Sequence, residues 1–186
     1  MDCHLRSSDD VQQIRLRAGS RLSISGVQEL PAVVFGFREG SVMDLVDFIR
    51  ESNRIEGIVR EPHDHEIMAH RRVLVLDKIT IDDIKHFVAT VAGAPLRDQP
   101  GMDVRIGNHI PQSGGNIMVK KLDRILWKAS DHSWSAHEVH CEYEHLHPFM
   151  DGNGRSGRVL WLWMMGGEAP LGFLHKFYYQ TLGAAR

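Results

Sequence analysis

From Ser41 onward, apolar positions recur with a period near 3.6, the spacing of amphipathic helices. Val42, Leu45, Val46 and Ile49 share one face behind a capping Ser41, so a helix is expected to run to about Ile55 and stop at Gly57. After Pro62, a second helix is expected over roughly His63 to Leu76. A third begins at Thr80, with Ile81, Ile84, Val88 and Val91 on one side. The period is lost over residues 93 to 116, which are rich in Gly and Pro and read as a long loop. Within that loop Val104-Arg105-Ile106 is expected as a short strand and Gly114-Gly115 as a turn. Met118, Leu122, Ile125, Leu126 and Ala129 mark a fourth helix, and the capping box Ser135 to Glu138 opens a fifth that ends near Leu146. A sixth, from about Asn153 to Met165, is apolar on every side after Arg158 and is therefore expected to be central and buried. Pro170 opens a last helix with Leu171, Leu174, Tyr178 and Leu182 on one face. Residues 1 to 40 show no helical period, although Leu22 and Ile24 alternate with polar residues and PAVVFGF is apolar. They read as an irregular or strand-containing extension of unknown function. The remainder, 41 to 186, is one all-α domain.

Composition narrows the function classes. The chain has 186 residues, 42% hydrophobic and 25% charged, with a formal net charge of −2. That balance gives no drive toward nucleic acid or an anionic membrane. The longest apolar run, Val159 to Met165, is seven residues, against about 20 for a membrane span. The first ten residues, MDCHLRSSDD, lack the apolar run of a secretory leader. Cys3 and Cys141 have no CxxC spacing, so the expected compartment is reducing and cytoplasmic.

The chemistry concentrates in HPFMDGNGRSGR, His147 to Arg158. Gly152-Asn153-Gly154 can turn successive N–H groups inward and opens directly into the sixth helix, whose N-terminus favours an anion. Arg155 and Arg158, three residues apart on that helix, suit a polyphosphate better than a single carboxylate. Asp151 can hold magnesium bridged to phosphate oxygens. His147 has the chemistry of a general base near neutral pH. The other histidine clusters are less specific. His137-Glu138-Val139-His140 is one residue short of HExxH, and His137 with Cys141 supplies two ligands where a structural zinc needs four.

The same twelve residues resemble the signature of Fic-domain proteins, H-x-F-x-(D/E)-G-N-G-R-x-x-R, with every fixed position matched: His147, Phe149, Asp151, Gly152, Asn153, Gly154, Arg155 and Arg158. The stretch His140 to Leu146 is similar to the helix leading into that signature. Val104 to Leu122 is similar to the family's target-docking flap and the helix after it, with Val104, Arg105, Ile106 and Gly107 as the flap. The resemblance covers roughly residues 41 to 180. It implies an all-α Fic-type domain with a small β-hairpin flap, transferring AMP from ATP to a Ser, Thr or Tyr hydroxyl of a protein. By that resemblance His147 deprotonates the hydroxyl and Asp151 binds Mg2+. Gly152, Asn153 and Gly154 cradle the phosphates, Arg155 holds the β/γ end, and Arg158 contacts the γ-phosphate. A homo-oligomer is left open.

Ser52-Asn53-Arg54-Ile55-Glu56-Gly57 resembles the family's inhibitory motif, (S/T)-x-x-x-E-(G/N), carried by Ser52, Glu56 and Gly57. Its place ahead of the signature resembles the class with an N-terminal inhibitory helix, here about 42 to 57. Glu56 paired with Arg158 would occupy the guanidinium meant for the γ-phosphate and set like charge against the triphosphate. Alternatives stay open from sequence: removal of AMP from a modified protein, another nucleotidyl or phosphoryl transfer on the same fold, or a nucleotide-binding module without catalysis.

Overall fold

The computed structural model describes residues 43–169. The readings made for residues 1 to 40, for Ser41 and Val42, and for the helix after Pro170 lie outside the described residues. Six helices follow in order: α1 (Leu45–Ile55), α2 (Asp64–Leu74), α3 (Ile81–Val91), α4 (Asn116–Ser130), α5 (Ala136–Leu146) and α6 (Asn153–Met164). The starts of α1, α3 and α5 have side-chain caps. Asp44 caps α1 by accepting from the Val46 N–H, so that helix begins three residues later than its apolar pattern suggests. Thr80 and Ser135 form reciprocal boxes with Asp83 and Glu138. The end of α1 is a Schellman turn. Gly57, at φ 77°, donates to Arg54 O at 3.0 Å, and Ile58 donates to Asn53 O at 2.9 Å.

Helix α6 is the hub. It packs against α1, α2, α3 and α5, while α4 completes the layer against α5 and α3. Its all-round apolar sequence follows from facing two cores at once. Val159 and Leu160 join Val88, Phe87, Leu122 and Tyr143 in the main core. Trp161 and Leu162 join Phe48 and Ile49 of α1 in a second, smaller one.

The expected strand over residues 104–106 does not form. Ile106 pairs only with His109, exchanging N–H···O bonds of 3.0 and 2.9 Å around Gly107 and Asn108. The flap hairpin therefore extends no further than one bridged turn. Its residues face solvent with no sheet to join among the described residues, and an isolated two-stranded ribbon is marginal in water.

One buried carboxylate ties the end of α1 to the start of α2. Glu66 is 1% exposed and accepts from Asn53 Nδ2 (3.1 Å), Arg60 Nη1 (2.6 Å) and the His63 N–H (2.8 Å). Burial alone would raise its pKa, but these donors outweigh it and hold the group at about 2, against the usual 4.5. A depressed carboxylate pKa stabilises the fold above the unfolded value, and that contribution is lost as pH falls toward 2. Urea titrations between pH 7 and pH 2 should show wild type more stable than Glu66→Gln at neutral pH. The two curves should converge below pH 4.5. A constant gap across that range would contradict the assignment.

Candidate functional site

The site forms where α1, α5 and α6 meet. The loop from His147 to Gly152 is braced from inside by Asn153. Its Oδ1 accepts from the Phe149 N–H and its Nδ2 donates to Phe149 O, both at 2.8 Å. Asn153 thus serves the anion site through its backbone, while its side chain holds the loop shut on the buried Phe149. Gly152 caps α6 at φ 79° in the left-handed region, and a Cβ there would stand 2.7 Å from Ala92 Cβ. The first helical bond of α6 runs from Ser156 N–H to Gly152 O at 2.9 Å. The N–H groups of Asn153, Gly154 and Arg155 precede it and point out of the helix start.

The two arginines, three residues apart, reach different elements. Arg155 donates from Nη1 to Val91 O at the end of α3, and its Nη2 lies 4.0 Å from Asp151 Oδ2. Arg158 is 2% exposed and is held by α1: Nε to Ser52 Oγ at 2.8 Å, Nη2 to Ser52 O at 3.0 Å, and Nη2 to Glu56 Oε1 at 2.5 Å. The Glu56 carboxylate also lies against the α carbon of Gly154, where any Cβ would collide with its Oε1. A carboxylate of the chain therefore rests on the helix N-terminus and on Arg158 together, the two features that make this an anion site. Ser52 and Glu56 meet Arg158, while Gly57 acts through the turn that ends α1.

His147 ends α5 at φ 49°, ψ 63°, a left-handed conformation that costs a non-glycine residue about 1–3 kcal/mol and recurs at functional sites. Burial is the main influence lowering its pKa below the ordinary value, aided by the Arg97 and His109 charges. A backbone hydrogen bond to Glu144 and the Glu56 charge oppose them. A neutral imidazole at pH 7 is the state a proton acceptor requires. Asp151 is exposed: Oδ1 accepts from the Gly152 N–H at 2.6 Å and Oδ2 faces Arg155. No group of three or more metal-ligating side chains occurs among the described residues. One solvent-facing carboxylate beside a helix N-terminus nonetheless fits magnesium, which takes most of its ligands from water and phosphate.

Two residues were missed by sequence reasoning. Arg97 is fully buried and donates to four backbone carbonyls, two of them Leu146 O and His147 O. It sits in an aperiodic loop, so nothing local marks it. Glu144 lies one turn before His147, with Oε1 enclosed against Gly157. Burial pushes its pKa up to about 7, against the lowering effect of Arg158. Gly157, an unspecified position in the sequence signature, is fixed by this contact and by the Tyr143 ring 3.3 Å from any Cβ. His140 is buried on α5 and also faces Gly157. Burial takes its pKa down to about 4. The flap residues are peripheral: Val104 is half-buried, Arg105 bonds Gly107 O at 3.1 Å, and Ile106 is exposed.

Comparison with known proteins converges on this region. A model of the Fic/DOC family matches residues 67–165. The protein adenylyltransferase Fic of Drosophila melanogaster is 37% identical over 107 residues, 50% of this chain and 21% of that protein. Its counterpart in Drosophila ananassae is 34% identical over 108 residues, with the same shares. That of Drosophila virilis is 37% identical over 76 residues, 37% of this chain and 16% of the relative. The matched part thus spans about a fifth of the length of these curated relatives.

Proposed function

The chain belongs to the Fic/DOC family, and we propose that it transfers AMP from ATP to a Ser, Thr or Tyr hydroxyl of a protein, with Glu56 restraining the reaction. The observation that carries this reading is the carboxylate of Glu56 seated on Arg158 and the α6 N-terminus, a short loop away from a histidine held neutral.

The chemistry follows from what these groups can do. The triphosphate lies along the N–H groups of Asn153, Gly154 and Arg155, with its γ-phosphate taking the place of Glu56 on Arg158. Arg155 releases Val91 O to hold the β/γ end. His147 accepts the proton of the attacking hydroxyl as its oxygen bonds to the α-phosphorus. The bond from that phosphorus to the bridging oxygen breaks, and pyrophosphate leaves. Its charge is met by Arg155, Arg158 and the helix N-terminus. Asp151 would hold magnesium, which neutralises phosphate charge when bound. The turn at Ile106–His109 offers main-chain groups to an extended target segment.

ATP labelled at the α-phosphate or at the γ-phosphate separates this reading from its rivals. Incubated with the Glu56→Gly variant and magnesium, α-label should become covalently bound to protein and γ-label should not. Transfer of γ-label would mean phosphoryl transfer. Binding of ATP with neither label transferred would leave a binding module.

A further inference from the structure

We infer that Arg97 is a positioning residue for the transfer: one guanidinium fixes the end of α5 that carries His147 and both ends of the loop that faces it. The inference rests on His147 being the base of the proposed reaction. Arg97 Nε donates to His147 O at 2.7 Å and Nη2 to Leu146 O at 2.8 Å. Its Nη1 donates to Met102 O at 3.2 Å and to Gln112 O at 2.9 Å. Met102 and Gln112 bracket the Ile106–His109 turn, so the base and the target-facing loop are referred to one rigid, planar group. The backbone adds to the lock. The Arg97 N–H donates to Pro148 O at 2.9 Å, and Arg97 O accepts from Gly115 at 2.8 Å.

The charge has a place as well as the fork. Among the described residues no carboxylate forms an ion pair with Arg97. Instead it sits against the last carbonyls of α5, the negative end of that helix. That site costs the cation some of its proton affinity through burial, and it brings a positive charge beside the His147 imidazole. A lysine could supply the charge but not four directed bonds. A glutamine could supply some bonds but not the charge.

The groups facing His147 are Arg97, His109 of the turn, Glu56 at the end of α1 and the Glu144 backbone on α5. In a Glu56→Gly background Glu56 is absent from parent and variants alike, so the comparison isolates Arg97. Arg97→Lys and Arg97→Gln should both bind ATP within about threefold of the parent, because the nucleotide contacts lie on α6. Both should lose about 100-fold in transfer rate, a loss that misplacing a reacting group by about 1 Å can cause. The acid limb of the rate profile should move to higher pH in Arg97→Gln and stay in place in Arg97→Lys. An unchanged rate and limb with ATP bound would overturn the inference. So would loss of ATP binding in both variants, which would make Arg97 a folding element only. If the Glu56→Gly parent transfers nothing, the proposed function fails instead. The His147 ring titration by NMR, wild type against Arg97→Gln, then still decides, with an upward shift expected and no shift overturning it.

Discussion

His147→Ala, in the Glu56→Gly background, should reduce AMP transfer by at least about 100-fold and up to about 10,000-fold, the range a positioned general base contributes. ATP should still bind. The two outcomes separate because the imidazole and the nucleotide contacts sit on different elements. His147 ends α5, whereas the N–H cradle and both arginines belong to α6. The backbone of residue 147 is held by bonds that do not involve its ring, from Arg97 Nε to its O at 2.7 Å and from its own N–H to Tyr143 O at 2.9 Å. Those bonds keep the loop in place with alanine there, at a left-handed backbone cost of about 1–3 kcal/mol. Calorimetric ATP titration alongside incorporation of α-labelled AMP checks both halves. Transfer surviving within tenfold would place the base elsewhere. Because burial and Arg97 keep the His147 pKa below its ordinary 6.5, the acid limb of the parent's rate profile should be centred below pH 6.5.

The second large effect belongs to Glu56. Its carboxylate accepts from Arg158 Nη2 at 2.5 Å, and Arg158 is almost completely enclosed. A hydrogen bond between charged groups contributes about 1.5–3 kcal/mol. Glu56 is 31% exposed on its side chain, so solvent screening favours the lower end. On the proposed reading, ATP displaces that contact for its γ-phosphate to reach Arg158. Glu56→Gly removes the competition and should tighten ATP binding about tenfold, which is 1.4 kcal/mol. The variant should also melt at a lower temperature without nucleotide, since Arg158 keeps Ser52 but loses its carboxylate. Saturating ATP should recover more melting temperature in the variant than in wild type.

Much of this was legible in the chain. Helices α2 to α6 fall close to where the 3.6 period places them, because each buries its apolar positions, and the boxes at Thr80 and Ser135 fix where α3 and α5 start. The signature residues His147 to Arg158 form a contiguous run, so their meeting needed only a loop and a helix start. Three features were not legible. The start of α1 depends on Asp44, whose carboxylate competes with serine for the same role. The reach of Arg155 to Val91 O, away from Arg158, depends on where α3 ends in space. Arg97 and Glu144 owe their positions to packing between elements distant in sequence, and one-dimensional periodicity holds no record of that.

On the proposed function, one carboxylate of the chain, Glu56, holds the nucleotide site shut. Wild type and Glu56→Gly, incubated side by side with magnesium and ATP labelled at the α-phosphate, test it most directly. At least tenfold more protein-bound label is expected in the variant. Equal labelling of the two proteins, with ATP shown to bind both, would contradict it.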